Sequence, residues 1–342
     1  MQITTIGLDL AKRVFQVHAV DSSGHTVLVK QLKRSQMHEF FANLTPCVIG
    51  MEACASAHYW GRELTRLGHD VRLMAAQFVK PYVKTNKNDA ADAQAICEAV
   101  SRPSMRFVAI KSVDQQAVLS MHRARDGLVR ARSALANQIR GLLAEFGLIM
   151  PIGVSALRRQ TPTLLDEAGD RLPLPFVHLI EDLLTHMDEQ QRHIQAFERQ
   201  IVQWHRAHPV SMRLAQIPGI GPITASALVA TVGDPHLFKN GRQMAAWLGL
   251  VPRQHSSGGK PMLLGISKRG DGYLRKLLLL GAHSALLRIR HQPGSGQSWA
   301  DRLLRRRPVN VVATAVANKH ARIAWALMTE QCDYDPALAQ VG

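Results

Sequence analysis

The chain has 342 residues, which is enough for two domains with sizeable hydrophobic cores and a helical segment between them. Lys and Arg number 42 against 26 Asp and Glu, giving a net charge of +16 and a pI near 10.3, so a polyanionic partner is expected: nucleic acid first, an anionic membrane surface second. The four cysteines form no CxxC pair and no apolar run approaches the roughly 20 residues of a membrane span, which argues against a disulfide framework, structural zinc, a membrane segment and a leader.

The first hundred residues predict an α/β sheet. Residues 1–33 alternate as a three-stranded meander, and the later strands are separated by helices. The predicted strands are Ile3–Leu8, Val14–Val20, Thr26–Leu32, Cys47–Met51 and Val71–Ala75, and the predicted helices are Met37–Asn43 and Tyr59–Leu67, the latter ending at Gly68.

Four acidic residues stand at the ends of these elements. Asp9 follows the first apolar run and Glu52 the fourth strand, while Asp89 and Asp92 are three apart at the start of an Ala-rich helix and so face the same way. A ribonuclease-H-like fold gathers acids in this order, and carboxylates belong near phosphates only with cations between them. The pattern predicts a site for two Mg²⁺ ions, with Mn²⁺ as an alternative metal. It also predicts that the protein cuts or joins nucleic acid. The alternative is that Asp89 only caps the helix, with Asp92 favouring its dipole.

The middle of the chain predicts two long amphipathic helices. The first is basic and covers about Gln115 to Phe146, the second covers Leu179–His208, and a connector from Pro151 to Pro175 joins them. Two such helices pack as an antiparallel arm or pair between subunits, and an intramolecular spacer is an equally good interpretation of this pattern.

The last third opens with a glycine hairpin between helices. Gly219 and Gly221 lie in the run from Gln216 to Ala225, ahead of a small-residue helix that reaches Val232. Backbone N–H groups at such a turn can hold a phosphate, as in the helix-hairpin-helix motif of many DNA-binding proteins. A plain tight turn is the alternative.

A serine-containing loop lies in the most basic part of the chain. Residues 235–330 contain sixteen Lys and Arg against three acids, and Ser256 and Ser257 precede Gly258 and Gly259 there. A serine hydroxyl becomes a nucleophile only when a base or metal removes its proton, and His255 is the only base nearby in sequence. The alternative is a flexible loop that binds phosphate through its backbone and Lys260.

Five ordered motifs carry a resemblance that spans nearly the whole chain. The chain resembles the DEDD transposases of the insertion sequence 110 family, in the 1111 subgroup, to which the pilin-gene inversion recombinases are related. The matching segments are Ile6 to Lys12, Met51 to Ala53, Lys87 to Ala93, Ile217 to Gly221, and Gly249 to Arg253 followed by Ser257-Gly258 and Ser267 to Gly270.

The resemblance implies a fold and a set of site residues. It implies a RuvC-like catalytic domain over 1–110, a coiled-coil arm over 111–208, and a mostly helical transposase domain over 209–342 that carries the serine. It further implies that the acidic tetrad and one serine form a composite active site. Ser257 matches the family serine, since it precedes Gly and lies five residues after the motif proline, Pro252. Ser256 is the competing candidate. The candidate catalytic and metal-binding acids are Asp9, Glu52, Asp89 and Asp92, and the candidate nucleic-acid-binding residues are Gly219, Gly221, Arg253, Lys260, Lys268, Arg269 and Arg275.

The function so implied is site-specific DNA recombination by an insertion-sequence transposase. A metal-assisted serine nucleophile would cut and rejoin donor and target DNA, guided by a structured non-coding RNA of the element. The protein is expected to be a homo-oligomer, dimer or tetramer, in a prokaryotic cytoplasm, associated with the nucleoid and not with a membrane. Two alternatives stay open: a metal-dependent junction-resolving nuclease that uses water, and a non-catalytic nucleic-acid-binding protein.

Overall fold

A computed structural model describes residues 2–84, 88–290 and 298–337. The chain forms two compact units, the first comprising Met1–Gln116 with Thr231–Lys239 and the second Ala117–Ala230 with Asn240–Gly342. Both long helices of the middle region therefore lie mainly in the same compact unit as the C-terminal helices. The division into three functional domains stays a prediction. In the part of the chain that the structure describes, no helix combines the length and apolarity needed to cross a membrane.

The first unit is built on a six-stranded mixed sheet. Its strand order is β3-β2-β1-β4-β5-β6; β1 to β3 form an antiparallel meander, and β4 and β5 continue the sheet parallel to β1. The predicted meander and the alternation of strands with helices are confirmed. The elements are β1 Thr5–Leu10, β2 Val14–Val20, β3 Thr26–Lys33, α1 Met37–Ala42, β4 Val48–Glu52, α2 Ala57–Arg66, β5 Asp70–Met74, α3 Ala76–Val79, α4 Asp89–Val100 and β6 Phe107–Val108.

Helix α4 lies directly against the central strands because two glycines leave room for it. A Cβ on Gly7 would stand 2.1 Å from the Ala93 carbonyl oxygen, and one on Gly50 would stand 2.7 Å from the Val100 Cβ. Such distances are possible only without side chains, so the helix backbone touches β1. The Cys97 thiol donates to the carbonyl of Thr5 at 3.8 Å, so α4 runs antiparallel to β1.

The second unit is almost entirely helical. Most of its helices bury one face, and the described residues also include a short two-stranded sheet. The elements of this part of the chain are α5 Val113–Glu145, α6 Val154–Ala168, α7 Leu174–Ala207, α8 Pro209–Leu214, α9 Pro222–Val232, α10 Gly241–Trp247, β7 Pro252–Gln254, β8 Leu263–Ile266, α11 Gly272–Arg290, α12 Trp299–Leu304 and α13 Val309–Thr329.

Helices α5 and α7 pack antiparallel within the chain. The Arg125 guanidinium donates twice to the Glu198 carboxylate, at 2.9 and 2.6 Å, and Arg132 donates to the side chain of Gln191. Moving forward along α5 therefore means moving backward along α7. The prediction of an antiparallel pair is confirmed as an intramolecular one, and pairing of arms between subunits stays a prediction.

The predicted connector between these helices contains a helix, α6, which was not predicted from the sequence. Its buried residues recur at helical spacing, and the Thr161 hydroxyl donates to the Leu157 carbonyl at 2.7 Å. Pro162 lies inside the helix, where it removes a single backbone donor. The buried residues of α6 are Leu157, Thr161, Leu165 and Ala168.

A buried polar cluster ties three helices of the second unit together. The two ring nitrogens of His122 lie 3.0 Å from the Tyr273 hydroxyl and 3.1 Å from the Ser226 hydroxyl, and Ser226 donates to the Pro222 carbonyl at 2.6 Å. Burial, with a smaller contribution from Arg125, lowers the pKa of His122 to about 4. Burial likewise lowers the pKa of His320 on α13 to about 4.

The stability of this unit should therefore decrease in mild acid. Both imidazoles stay neutral in the folded chain, whereas in the unfolded chain they take up a proton below a pKa of about 6.5. Their contribution to the free energy of unfolding is therefore complete above that pKa and is lost as the pH falls toward 4. Each histidine should contribute up to about 3 kcal/mol. Thermal unfolding of wild type and His122→Gln between about pH 7 and pH 4.5 measures this; the variant should lose less stability over that range. Parallel pH dependences in the two proteins would contradict the assignment.

Candidate active site and nucleic-acid interface

Asp9 and Glu52 lie side by side at the carboxyl ends of neighbouring parallel strands. Strands β1 and β4 are in register with Leu8 opposite Met51, which places the next residue of each strand, Asp9 and Glu52, together. Both residues are half-buried. The carboxyl edge of the sheet thus presents two carboxylates, as the sequence predicted from the ends of the apolar runs.

A neighbouring thiol is sensitive to both carboxylates. Partial desolvation raises the pKa of the Cys54 thiol, and the negative charges of Glu52 and Asp9 raise it further. One group near enough to respond to both acids is a second indication that the two carboxylates are close together. A thiol with a raised pKa remains protonated at neutral pH, so Cys54 is a poor nucleophile.

The other two acids belong to the first turn of α4. Because this helix runs antiparallel to β1 with Ala93 beside Gly7, its N-terminus points to the edge that carries Asp9. Asp92 is half-buried and Asp89 is exposed. The alternative that Asp89 is the helix cap is wrong, since the Asn88 side chain caps α4 by accepting from the Ala91 N–H at 2.7 Å. Asp89 is therefore the first residue of the helix.

These four side chains are an all-oxygen donor set, which suits a hard divalent cation. They do not form a closed metal cage: among the described residues, no group of three or more His, Cys, Asp and Glu side chains lies in a metal-binding arrangement. The structure therefore brings the acids to one edge of the sheet without bringing them into coordination distance of one point.

The serine region is a β-hairpin, not the flexible loop that its composition suggested. Strands β7 and β8 pair antiparallel, and the Lys260 N–H donates to the Ser257 carbonyl at 3.1 Å across the turn. Gly258 and Gly259 both have positive φ, +56° and +76°. Two consecutive positive φ values define the type I′ turn that closes tight hairpins, and Gly-Gly satisfies it without strain. The two glycines thus fix the turn and place Ser257 immediately before it.

The two serines differ in their surroundings. The Ser256 hydroxyl accepts from the Gln254 side-chain amide at 2.8 Å and from the Met262 N–H at 3.4 Å, so it helps to hold the hairpin together. The Ser257 side chain makes no hydrogen bond within the described residues, and it is exposed. A hydroxyl without a partner is available to an incoming phosphate. His255 is exposed in the same hairpin, with its backbone N–H bonded to the Met262 carbonyl at 2.9 Å.

Four of the predicted basic contacts are available to a polyanion. Arg253, Lys260, Lys268 and Arg269 are all exposed around the hairpin. Arg275 is different, because its guanidinium donates to the Leu248 carbonyl at 3.0 Å and to the Arg269 carbonyl at 3.2 Å. Arg275 thus joins the segment before the hairpin to the segment after it. This structural role explains why an arginine stands at this position.

The predicted glycine hairpin also has a structural explanation. A Cβ on Gly219 would lie 2.3 Å from the Gly281 carbonyl oxygen, so the turn before α9 packs its backbone directly on α11. A Cβ on Gly221 would meet nothing within 4 Å, and this glycine is exposed. Of the two candidate glycines, Gly219 is required by packing and Gly221 is not. Phosphate binding by this turn stays a prediction.

Comparisons with known proteins decide the family. The family model of the DEDD transposases of IS110 matches residues 6–147, and the model described as the transposase IS116/IS110/IS902 family matches residues 211–298. The chain is 53% identical over 337 residues to a probable family 20 transposase of Pseudomonas aeruginosa, covering 98% of this chain and 100% of that protein. It is 44% identical to the transposase for insertion sequence element IS1328 of Yersinia enterocolitica, with 96% and 97% covered. It is 42% identical to the transposase for IS1111A of Coxiella burnetii, with 97% and 91% covered.

The chain belongs to the IS110 family of insertion-sequence transposases. The resemblance inferred from five ordered motifs is confirmed, and with it the activity of a DNA transposase. The first family match covers Asp9, Glu52, Asp89 and Asp92, and the second covers the serine hairpin.

Arg275 should contribute to stability more than its exposed neighbour Arg269. Arg275→Gln removes two charged hydrogen bonds to backbone carbonyls, so the free energy of unfolding should fall by about 2 kcal/mol. Arg269→Gln changes the same charge but removes no side-chain hydrogen bond to a described residue, so the free energy of unfolding should stay unchanged. Urea unfolding of the two variants compares them directly. An equal stability of the two would contradict the structural role of Arg275.

Proposed function

We propose that the transposase cuts and rejoins DNA through a covalent bond to Ser257. The observation that carries the proposal is the Ser257 side chain, which is exposed, lacks a hydrogen-bond partner in the described residues and is fixed by the Gly258–Gly259 turn. A rigid turn that presents an unengaged hydroxyl among exposed cations is well suited to meet a phosphodiester. Exposed Lys260 and Arg253 supply positive charge near it.

The proposed chemistry conserves the energy of the broken bond. The Ser257 Oγ attacks the phosphorus, the bond from phosphorus to the 3′ oxygen breaks, and the departing 3′ oxygen takes up one proton as the serine loses one. The new phosphoserine ester can be attacked by a 3′ hydroxyl, which reverses each bond change and releases the serine. Hydrolysis by water would instead produce free ends that need external energy to rejoin. A recombinase without a nucleotide cofactor therefore gains from a protein-linked intermediate.

The acidic edge of the first unit is the proposed metal site. The site would hold two Mg²⁺ ions, with Mn²⁺ as an alternative metal, on the side chains of Asp9, Glu52, Asp89 and Asp92. The position of their oxygen donors on one edge of the sheet supports this assignment. When bound, such ions supply positive charge that favours a serine alkoxide and stabilises the pentavalent phosphate. The sheet order β3-β2-β1-β4-β5 supports the further proposal that this unit is RuvC-like.

The recognition partners are part of the same proposal. A structured non-coding RNA of the element would guide the choice of donor and target, and the +16 net charge together with the exposed run Arg305, Arg306 and Arg307 supports binding of more than one polyanion. A homo-oligomer, dimer or tetramer, would bring several reactive serines to the strands of a recombination junction. The glycine turn at Gly219 and Gly221 is proposed as a helix-hairpin-helix-like contact to the backbone of one of these polyanions.

Replacing the proposed nucleophile should abolish the covalent intermediate and leave binding intact. Ser257→Ala removes one exposed oxygen, so stability should change by less than about 0.5 kcal/mol. Incubation with labelled DNA, the element's RNA and Mg²⁺, followed by a denaturing gel, should show a protein–DNA adduct for wild type and none for Ser257→Ala.

Ser256→Ala is the matched control. It removes a hydroxyl one residue away that bonds within the hairpin, so it should reduce the adduct without abolishing it. Loss of the adduct in Ser256→Ala with retention in Ser257→Ala would assign the nucleophile to Ser256. Recombination that persists in the double variant would refute the serine mechanism and favour cutting by water.

Neutralising the acidic edge should stop the same reaction at the same step. Asp9→Asn and Glu52→Gln remove negative ligands with little change in volume, so the variants should fold and bind DNA but form no adduct. Exchanging exposed Asp114, which lies outside the acidic edge, for Asn provides the control and should leave the adduct unchanged. Adduct formation at the wild-type rate in either edge variant would rule out a catalytic role for the acidic group.

A further inference from the structure

The exposed face of α13 forms the floor of a groove in the second unit. This groove has a volume of about 670 Å³, and the floor residues recur at helical spacing. Strand β8 lines another part of the groove with Leu264, Gly265 and Ile266, and Trp299 of α12 also lines it. The floor includes Val311, Ala315, Asn318, Lys319 and Arg322.

Part of the exposed lining is apolar. Leu264 and Val311 leave 40% and 50% of their surface in solvent, so the groove offers apolar surface to a ligand. The Lys319 ammonium lies 5.2 Å from the centre of the Trp299 ring, so the indole is held near a cation. An aromatic ring beside exposed aliphatic surface is suited to a flat ring with two apolar faces.

The charged part of the lining has one sign. Lys319 and Arg322 are three residues apart on α13, and among the described residues no Asp or Glu lines the groove. Partial burial lowers the pKa of Lys319, and the charge of Arg322 lowers it further, so a nearby anion would stabilise the charged form of Lys319. The groove therefore combines a surface for a flat apolar ring with a place for a phosphate.

We propose that this groove binds an unpaired nucleotide of a DNA strand, with the base on Trp299, Leu264 and Val311 and a phosphate on Lys319 and Arg322. In a duplex the faces of the bases are covered by stacking, and only their edges are accessible in the grooves. Stacking on an aromatic side chain therefore requires a base that has left the helix, and such contacts are tolerant of sequence. Strand exchange by a transposase produces unpaired DNA.

The groove is linked mechanically to the serine hairpin. The Asn318 amide donates to the Leu250 carbonyl at 3.2 Å, two residues before β7, and Pro252 also lines the groove. Ser257 lies five residues beyond Pro252, at most about 17 Å along an extended chain. A DNA strand that runs from the groove along the hairpin toward its turn would thus reach the hydroxyl. This last point rests on the proposed serine mechanism, whereas nucleotide binding by the groove does not.

Binding measurements on the full chain test the groove directly. Labelled single-stranded DNA and the duplex of the same sequence serve as probes in fluorescence anisotropy. Trp299→Ala should weaken single-strand binding about five- to a hundredfold, Trp299→Phe should restore most of it, and duplex affinity should not change. Lys319→Gln with Arg322→Gln should reduce the slope of log affinity against log salt by about 1.4 for the single strand.

Arg199→Gln with Arg206→Gln removes the same charge from exposed positions on α7, outside the groove and outside the proposed polyanion-binding run, and is the matched control. It should not distinguish single strand from duplex. Equal behaviour of the two double variants, or equal losses on both probes for Trp299→Ala, would overturn the proposal. If single-stranded RNA of the same sequence binds at least as tightly and depends on Trp299, the assignment to DNA is overturned.

Photocrosslinking keeps the test independent of any variant's folding. Wild-type protein irradiated with 5-iodouracil-substituted single-stranded DNA should yield a peptide crosslinked at Trp299 or on the exposed face of α13. Crosslinks confined to other segments would overturn the proposal. Ser257→Ala should crosslink like wild type; a failure of the serine mechanism would appear as a missing adduct in wild type while these crosslinks remain.

Discussion

The contact between α4 and the central strands is the constraint on which the acidic edge depends. A side chain at Gly7 would collide with the Ala93 carbonyl oxygen, so the helix touches the strand backbone and cannot slide without losing that fit. This contact fixes the position of the N-terminus of α4. It brings Asp89 and Asp92 to the edge at which the parallel pairing of β1 and β4 already places Asp9 and Glu52.

The acidic residues and Ser257, the two proposed reactive groups, are held in position in different ways. The acids stand on a buried sheet and a helix packed on it, where backbone pairing determines their positions to within a side-chain rotation. Ser257 stands on an exposed two-stranded hairpin with little core beneath it, and a type I′ turn supplies the rigidity. Exposure is useful in a nucleophile that must reach the backbone of a large polyanion. The same exposure leaves the hairpin dependent on local hydrogen bonds, including those of Ser256 and Arg275.

The sequence predicted the elements whose pattern reflects burial. The meander, the long helices and the positions of Asp9 and Glu52 followed from apolar periodicity and strand ends. Helix α6 was not predicted, although its buried residues Leu157, Thr161 and Leu165 recur at helical spacing.

The hairpin and the groove could not be predicted from apolar periodicity. Strands β7 and β8 are exposed and carry no alternation, so Gly258 and Gly259 suggested flexibility when they in fact specify a turn. Arg275 could be told from Arg269 only by its distant carbonyl partners. Trp299, Lys319 and Leu264 are brought together by tertiary packing, which no local spacing reveals.

The most direct measurement is the chemical identity of the residue joined to DNA. Wild-type transposase is incubated with labelled DNA, Mg²⁺ and the element's RNA, the adduct is digested with protease and nuclease, and the nucleotide-bearing peptide is sequenced by mass spectrometry. We expect a phosphodiester on the Oγ of Ser257. Cleaved DNA with no protein attached, or a nucleotide on any residue outside the hairpin, would contradict it.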